Sequence, residues 1–123
     1  MIVFGAAESS TILCLNACTS RIDGFLYDSG RYTTVDVPGA SDGFFGTQIN
    51  GINDENVVVG VYGAGPTLAG MVWTNGRFAT LNYPKAGFTE LHSINNRGEI
   101  TGAYSPTPGG QEIHGFLAIP KDR

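Results

Sequence analysis

Apolar and polar positions along this chain alternate in short runs, and every run stops at a turn signal. Gly24–Tyr27 and Tyr32–Val37 flank Asp28-Ser29-Gly30, while Gly70–Trp73 and Phe78–Tyr83 flank Thr74-Asn75-Gly76. Asn-Gly between two apolar runs predicts a tight hairpin, because both central residues of that turn take positive φ. The runs are rich in aromatic and β-branched residues, as half-buried strands are. Pro38 and Pro84 end the second run of each set, since proline cannot donate to a ladder. A third run, Gly46–Ile52 or Thr89–Ile94, leads through Asn53–Asn56 or Asn95–Gly98 into a fourth, Val57–Tyr62 or Glu99–Tyr104. Asn56 stands where Gly98 stands, and Asn is the non-glycine residue best suited to a left-handed turn position. Gly60 and Gly102 fall mid-strand, where a missing side chain predicts close approach of another backbone. No stretch of ten or more residues carries a helical period, so the fold class is all-β.

The pattern repeats. Gly70 follows Gly24 by 46 positions and Gly115 follows Gly70 by 45. The chain divides into a partial repeat and variable loop over 1–23, a first repeat over 24–69, a second over 70–114 and the start of a third over 115–123. Val3-Phe4-Gly5-Ala6 matches Val58-Val59-Gly60-Val61 in type, so the first residues form the tail of an earlier copy. The first repeat carries four extra residues around Ser41–Gly46. A period near 45 residues with four short strands is the size of a β-propeller blade. One such unit cannot bury its faces without neighbours. The expected architecture is a single all-β domain of short four-stranded repeats, propeller-like and completed by self-association, which makes a homo-oligomer. A compact β monomer, trefoil-like or sandwich, is the alternative.

The motifs Gly24-Phe25-Leu26-Tyr27, Pro38-Gly39-Ala40, Ile52-Asn53, Gly60-Val61-Tyr62, Ile94-Asn95-Asn96, Gly98, Gly102-Ala103-Tyr104 and His114-Gly115-Phe116-Leu117 resemble the HAF repeat, a family of extracellular bacterial repeats named for a His-Ala-Phe motif. The resemblance covers about residues 22–118. It implies short four-stranded units and an extracellular or cell-surface setting in a bacterium, and it implies no reaction. The motif histidine appears here only as His114, with Asp23 and Ala69 in its place in the other copies.

Composition narrows the classes. With 123 residues the chain has length for one domain with a core. Its net charge of −4 and seven scattered Lys and Arg give no basic stripe, so no nucleic-acid partner is expected. No apolar run approaches the roughly 20 residues of a membrane-spanning helix. The N-terminal stretch lacks Lys and Arg before Arg21 and carries Glu8, which makes it a poor secretory signal. Cys14 and Cys18 have no matching His or Cys pair for zinc; they are either a small-loop disulfide or two reduced thiols.

Candidate chemistry is sparse. Glu90-x-His92 and Glu112-x-His114 could hold a metal or move a proton, although a solvated strand face explains both pairs. Asp42, with Asp54 and Glu55, offers loop oxygens, but the spacing fits no calcium loop and turn chemistry accounts for them. No nucleophile elbow or phosphate-cradling loop appears, and the sequence calls for no cofactor. Among the aromatics, Phe25, Phe78, Tyr62 and Tyr104 are expected in the core. Trp73, which replaces Tyr27 beside a turn, is the one placed to face a ligand. The expected function is therefore a non-catalytic binding or interaction module, glycan- or surface-directed, with Trp73, His92, His114 and Asp42 as candidate ligand-binding residues. The alternative is a self-assembling structural protein with no small ligand; an enzyme ranks third.

Overall fold

In the computed structural model, residues 2–9, 21–40, 46–108 and 110–121 are described. Asp42, Cys14 and Cys18 lie outside them. Ten strands run through the described residues: β1 (Ile2–Ser9), β2 (Arg21–Asp28), β3 (Arg31–Val35), β4 (Thr47–Ile52), β5 (Val58–Ala64), β6 (Thr67–Thr74), β7 (Arg77–Thr80), β8 (Phe88–Ile94), β9 (Ile100–Ser105) and β10 (His114–Ala118). They form three antiparallel sheets, β1-β2-β3, β4-β5-β6-β7 and β8-β9-β10. The class is all-β.

The sheets are offset from the sequence repeats by two strands. The central sheet takes the third and fourth strands of one repeat and the first and second of the next. Hairpins set this phase. Ser29-Gly30 and Asn75-Gly76 all have positive φ, at 52°, 84°, 52° and 80°, which closes β2-β3 and β6-β7 by the same tight turn. Asn53 and Asn95 shape the other repeated turn. Asn53 Oδ1 accepts from the Glu55 and Val57 amides, and Asn95 Oδ1 from those of Arg97 and Glu99. Asn56 and Gly98 then take φ of 62° and 79°. The match of β1 to β5 also holds in register: Gly5 pairs with Phe25 as Gly60 pairs with Met71.

Between sheets, the chain leaves the last strand of one and enters the first strand of the next through a second repeated device. Val37-Pro38-Gly39-Ala40 and Tyr83-Pro84-Lys85-Ala86 each close with an amide-to-carbonyl bond, from Ala40 to Val37 and from Ala86 to Tyr83. A threonine on the incoming strand pins each turn: Thr47 Oγ1 accepts from the Val37 amide and Thr89 Oγ1 from the Tyr83 amide. This turn type demands positive φ at its third residue, which Gly39 meets freely and Lys85, at 63°, meets under strain. Lys85→Gly is therefore expected to raise the unfolding free energy by about 0.5 kcal/mol, relief of the strain being partly offset by the larger entropy of glycine in the unfolded chain. A urea midpoint that does not rise would show that Lys85 is unstrained.

The core lies between sheets. Strand β4 packs on β1 and β2, and β8 packs on β4, β5 and β6, so the first strand of each sheet covers the face of the preceding one. One cluster holds Val35, Val37, Ile49, Val58 and Met71, with Leu26, Tyr62, Trp73 and Phe78 packed against it. The other holds Val59, Leu91 and Ile100, with Val72, Leu81, Ile94, Phe116 and Ala118 around it. Ile49 and Leu91 are the equivalent plugs. A Cβ on Gly24 would lie 2.7 Å from Ile49 Cγ1, and one on Gly70 would lie 2.9 Å from Leu91 Cγ. Polar bridges follow the same step: Asn50 Nδ2 donates to the Leu91 carbonyl and Asn53 Nδ2 to the Asn95 carbonyl. The third sheet changes character on the side that would face a further unit. Where the second presents Gly51 and Val59 to its neighbour, the third presents Ser93 and Thr101, hydrogen-bonded to each other and exposed.

Candidate functional site

Trp73 has one side against the core cluster and is half-buried, in a cleft of about 470 Å³ between the first and second sheets. Three turns converge there. The β2-β3 hairpin brings Asp28, Ser29 and Arg31, with Leu26 and Thr33 farther along the two strands. The β4-β5 turn brings Asn56, held in place by the left-handed backbone that follows the Asn53 cap. The β6-β7 hairpin brings Asn75 at its tip, beside Trp73 on β6. Asp28 and Arg31 face each other across the first hairpin, and Ser29 Oγ donates to Asp28 Oδ1 at 3.1 Å. The lining thus combines one indole, one carboxylate, one guanidinium, two primary amides and two hydroxyls over an apolar floor that includes Leu26. Its volume falls within the usual range of about 300–1,000 Å³ for small-ligand sites.

The same place recurs one sheet later with different chemistry. A cleft of about 640 Å³ is lined by Val72, Thr74, Asn75, Arg77, Phe78 and Ala79. By repeat position Val72 stands for Leu26, Thr74 for Asp28, Asn75 for Ser29, Arg77 for Arg31 and Ala79 for Thr33. Ala118 occupies the position of Trp73, and Gly98 that of Asn56. The second cleft keeps one guanidinium but has one amide and one hydroxyl where the first has two of each. The two clefts therefore differ in chemistry: the first has an indole and a carboxylate, and among the described residues the second has neither.

The histidines do not join this site. His92 sits at a β-bulge in β8, between Leu91 and Ser93, the position where Asn50 in β4 bridges to the next sheet. It is exposed, with Nε2 3.4 Å from Glu90 Oε2. His114 opens β10, and its Nε2 is 3.6 Å from Glu112 Oε2. Each histidine thus meets its own glutamate, as the alternate spacing predicts, and neither lines the Trp73 cleft. Among the described residues no group of three or more His, Cys, Asp or Glu side chains could hold a metal ion. No described helix is long and apolar enough to cross a membrane.

The remaining aromatics divide by sheet. Tyr62 reaches across its sheet, its hydroxyl 2.8 Å from Thr80 Oγ1, and Phe78 packs on the core. Phe25 is half-buried beside Tyr32, which is 72% exposed. Tyr104 stacks on Tyr83 with ring centroids 3.6 Å apart. A hydrogen bond with Tyr83, and then partial desolvation, hold the Tyr104 phenol above its usual value.

Trp73 was legible from sequence because it departs from Tyr27 at a repeated position beside a turn. Asp28, Arg31, Asn56 and Asn75 also line the cleft, although the sequence accounts for each as a turn or strand-end residue. The signal that could have found them is the difference between copies: Asp28 against Thr74, and Asn56 against Gly98. Comparison with known protein families, with curated proteins and with solved structures finds no match.

Proposed function

We propose that this protein is a non-catalytic binding module that takes a carbohydrate in the Trp73 cleft. The observation that carries the proposal is the set of groups gathered there. A sugar ring has an apolar C–H face and a rim of hydroxyls. An indole offers a flat surface to the face, and carboxylate, amide and guanidinium groups offer fixed acceptors and donors to the rim. The resemblance to HAF repeats supports the same setting, since cell-surface and extracellular proteins meet glycans. The sheets support a propeller-like stack, because the first strand of each covers its predecessor through the same glycine-notch contact. On the third sheet the exposed Ser93–Thr101 hydroxyl pair takes the places of Gly51 and Val59, so that face is more polar than the one the second sheet presents.

The chain contains a single tryptophan, so its fluorescence reports on this cleft alone. Titration with a panel of neutral, acidic and amino sugars is expected to shift Trp73 emission for at least one class, with one site per chain. By calorimetry, Trp73→Ala is expected to abolish that binding, and Asp28→Asn to weaken it about tenfold through loss of a charged acceptor. A panel that leaves emission flat, or a stoichiometry of two sites per chain, counts against this reading.

A further inference from the structure

Strands β2 and β3 pair so that Asp28 lies opposite Arg31 and Leu26 opposite Thr33. Residues directly opposite in an antiparallel pair share a face, so one face of this hairpin carries a carboxylate and a guanidinium at its tip, with Leu26 and Thr33 below them. All four line the Trp73 cleft. Opposite charges in such a position commonly close into an ion pair. Here they do not: among the described residues neither Asp28 nor Arg31 forms one, with the other or with any third group. Ser29 Oγ donates to Asp28 Oδ1, which steadies the carboxylate and leaves its second oxygen for a ligand. Both charged residues are exposed, so standing apart carries little desolvation penalty.

With a carbohydrate in the Trp73 cleft, the reading on which this inference rests, we infer that the cleft selects a neutral sugar ring and that Asp28 and Arg31 set the choice. A ring hydroxyl accepts from a guanidinium and donates to a carboxylate at the same time, and each of the two bonds polarises the other. Two neighbouring hydroxyls on one ring therefore complete both groups without adding charge. The lining holds one charge of each sign, and none of its other described residues is charged. A ligand with its own charge gains at one of the two groups and loses at the other, and it also gives up hydration. The neutral ring gains at both. Asn56 and Asn75 add uncharged donors and acceptors for the remaining hydroxyls. The second cleft shows the contrast. Arg77 stands there for Arg31 but Thr74 for Asp28, which leaves one positive charge unbalanced.

The probes are methyl glucoside, methyl galactoside and methyl mannoside, each beside its uronic acid and its hexosamine. They are titrated against the full chain at neutral pH, by calorimetry and by Trp73 emission. In at least one set the neutral member is expected to bind about tenfold more tightly than either charged member, with little dependence on salt. Asp28→Asn is expected to weaken the neutral sugar about tenfold and to shift preference toward the uronic acid, since Arg31 then stands alone, and added salt is expected to weaken that acquired binding. Arg31→Gln is expected to shift preference toward the hexosamine. Both positions are exposed, so the urea midpoints are expected to match the parent and the changes report on the cleft. A parent chain that binds a uronic acid or a hexosamine as tightly as the neutral ring overturns this inference and leaves the carbohydrate site standing. Variants that keep the parent order of preference overturn it in the same way. No response to any sugar overturns both.

Discussion

Gly60→Ala is expected to lower the unfolding free energy by about 3 kcal/mol or more, as steric conflict inside a close-packed core does. The reason lies in the bulge on the neighbouring strand. At Asn50 the pairing of β4 with β5 slips by one residue, and the slip brings the Gln48 carbonyl over Gly60. A Cβ there would collide with the Gln48 carbonyl oxygen and lie 3.0 Å from the Ile49 Cα, both of them main-chain atoms that cannot rotate away. The second copy repeats the arrangement: β8 bulges at His92, and a Cβ on Gly102 would meet the Glu90 carbonyl oxygen. Gly115 is the control, because a Cβ there would have only the Gly102 carbonyl oxygen, at 3.8 Å, within contact range. Gly115→Ala is expected to stay within about 0.5 kcal/mol of the parent. Since a domain of this size has only about 5–15 kcal/mol of stability, urea unfolding separates the two variants clearly. Equal midpoints for the two would mean that β4 does not bulge over β5.

These glycines show how far sequence carries. Gly60 and Gly102 predict a close backbone from their position mid-strand, and the structure supplies the cause, a bulge that no residue type announces. Turns were legible because they are local: Asn75-Gly76, Asn53, Pro38 and the exchange of Gly98 for Asn56 each fix φ within a few residues. Sheet boundaries were not. A four-strand period is unchanged when its starting point moves by two strands, and only pairing between distant residues sets the phase. For the same reason the cleft was only partly visible. Its residues lie on separate hairpins, each with an adequate local role, and they converge only when β4 crosses the first sheet. Trp73 stood out because its own neighbourhood made it unusual. His92 occupies the bulge position from which Asn50, one repeat earlier, reaches the Leu91 carbonyl, and it meets Glu90 on its own strand.

Leu91→Ala is expected to cost about 3–5 kcal/mol, in the upper part of the range for emptying a core leucine position. Leu91 is fully buried, and three features around it limit relaxation. Its side chain enters the notch that Gly70 leaves open, so the wall on that side is backbone. Val59 and Ile100, from two different sheets, complete the cluster, and neither can close the space without moving its strand. The Leu91 carbonyl is held by Asn50 Nδ2 at 2.8 Å, which keeps β8 in register while the cavity persists. Leu117, 58% exposed on the next strand but one, is the matched control and is expected to change little. The position of the damage is as informative as its size. Leu91 joins the second sheet to the third, whereas the Trp73 cleft lies between the first and the second. Loss of Leu91 is therefore expected to speed amide exchange in 88–118 more than in 47–80, and to leave ligand-induced Trp73 emission intact below the unfolding transition. Uniform acceleration across both segments would mean that the three sheets unfold as one unit. Damage to the distant cleft could then not be separated from damage to the fold, and the cleft would have to be tested by its own substitutions alone.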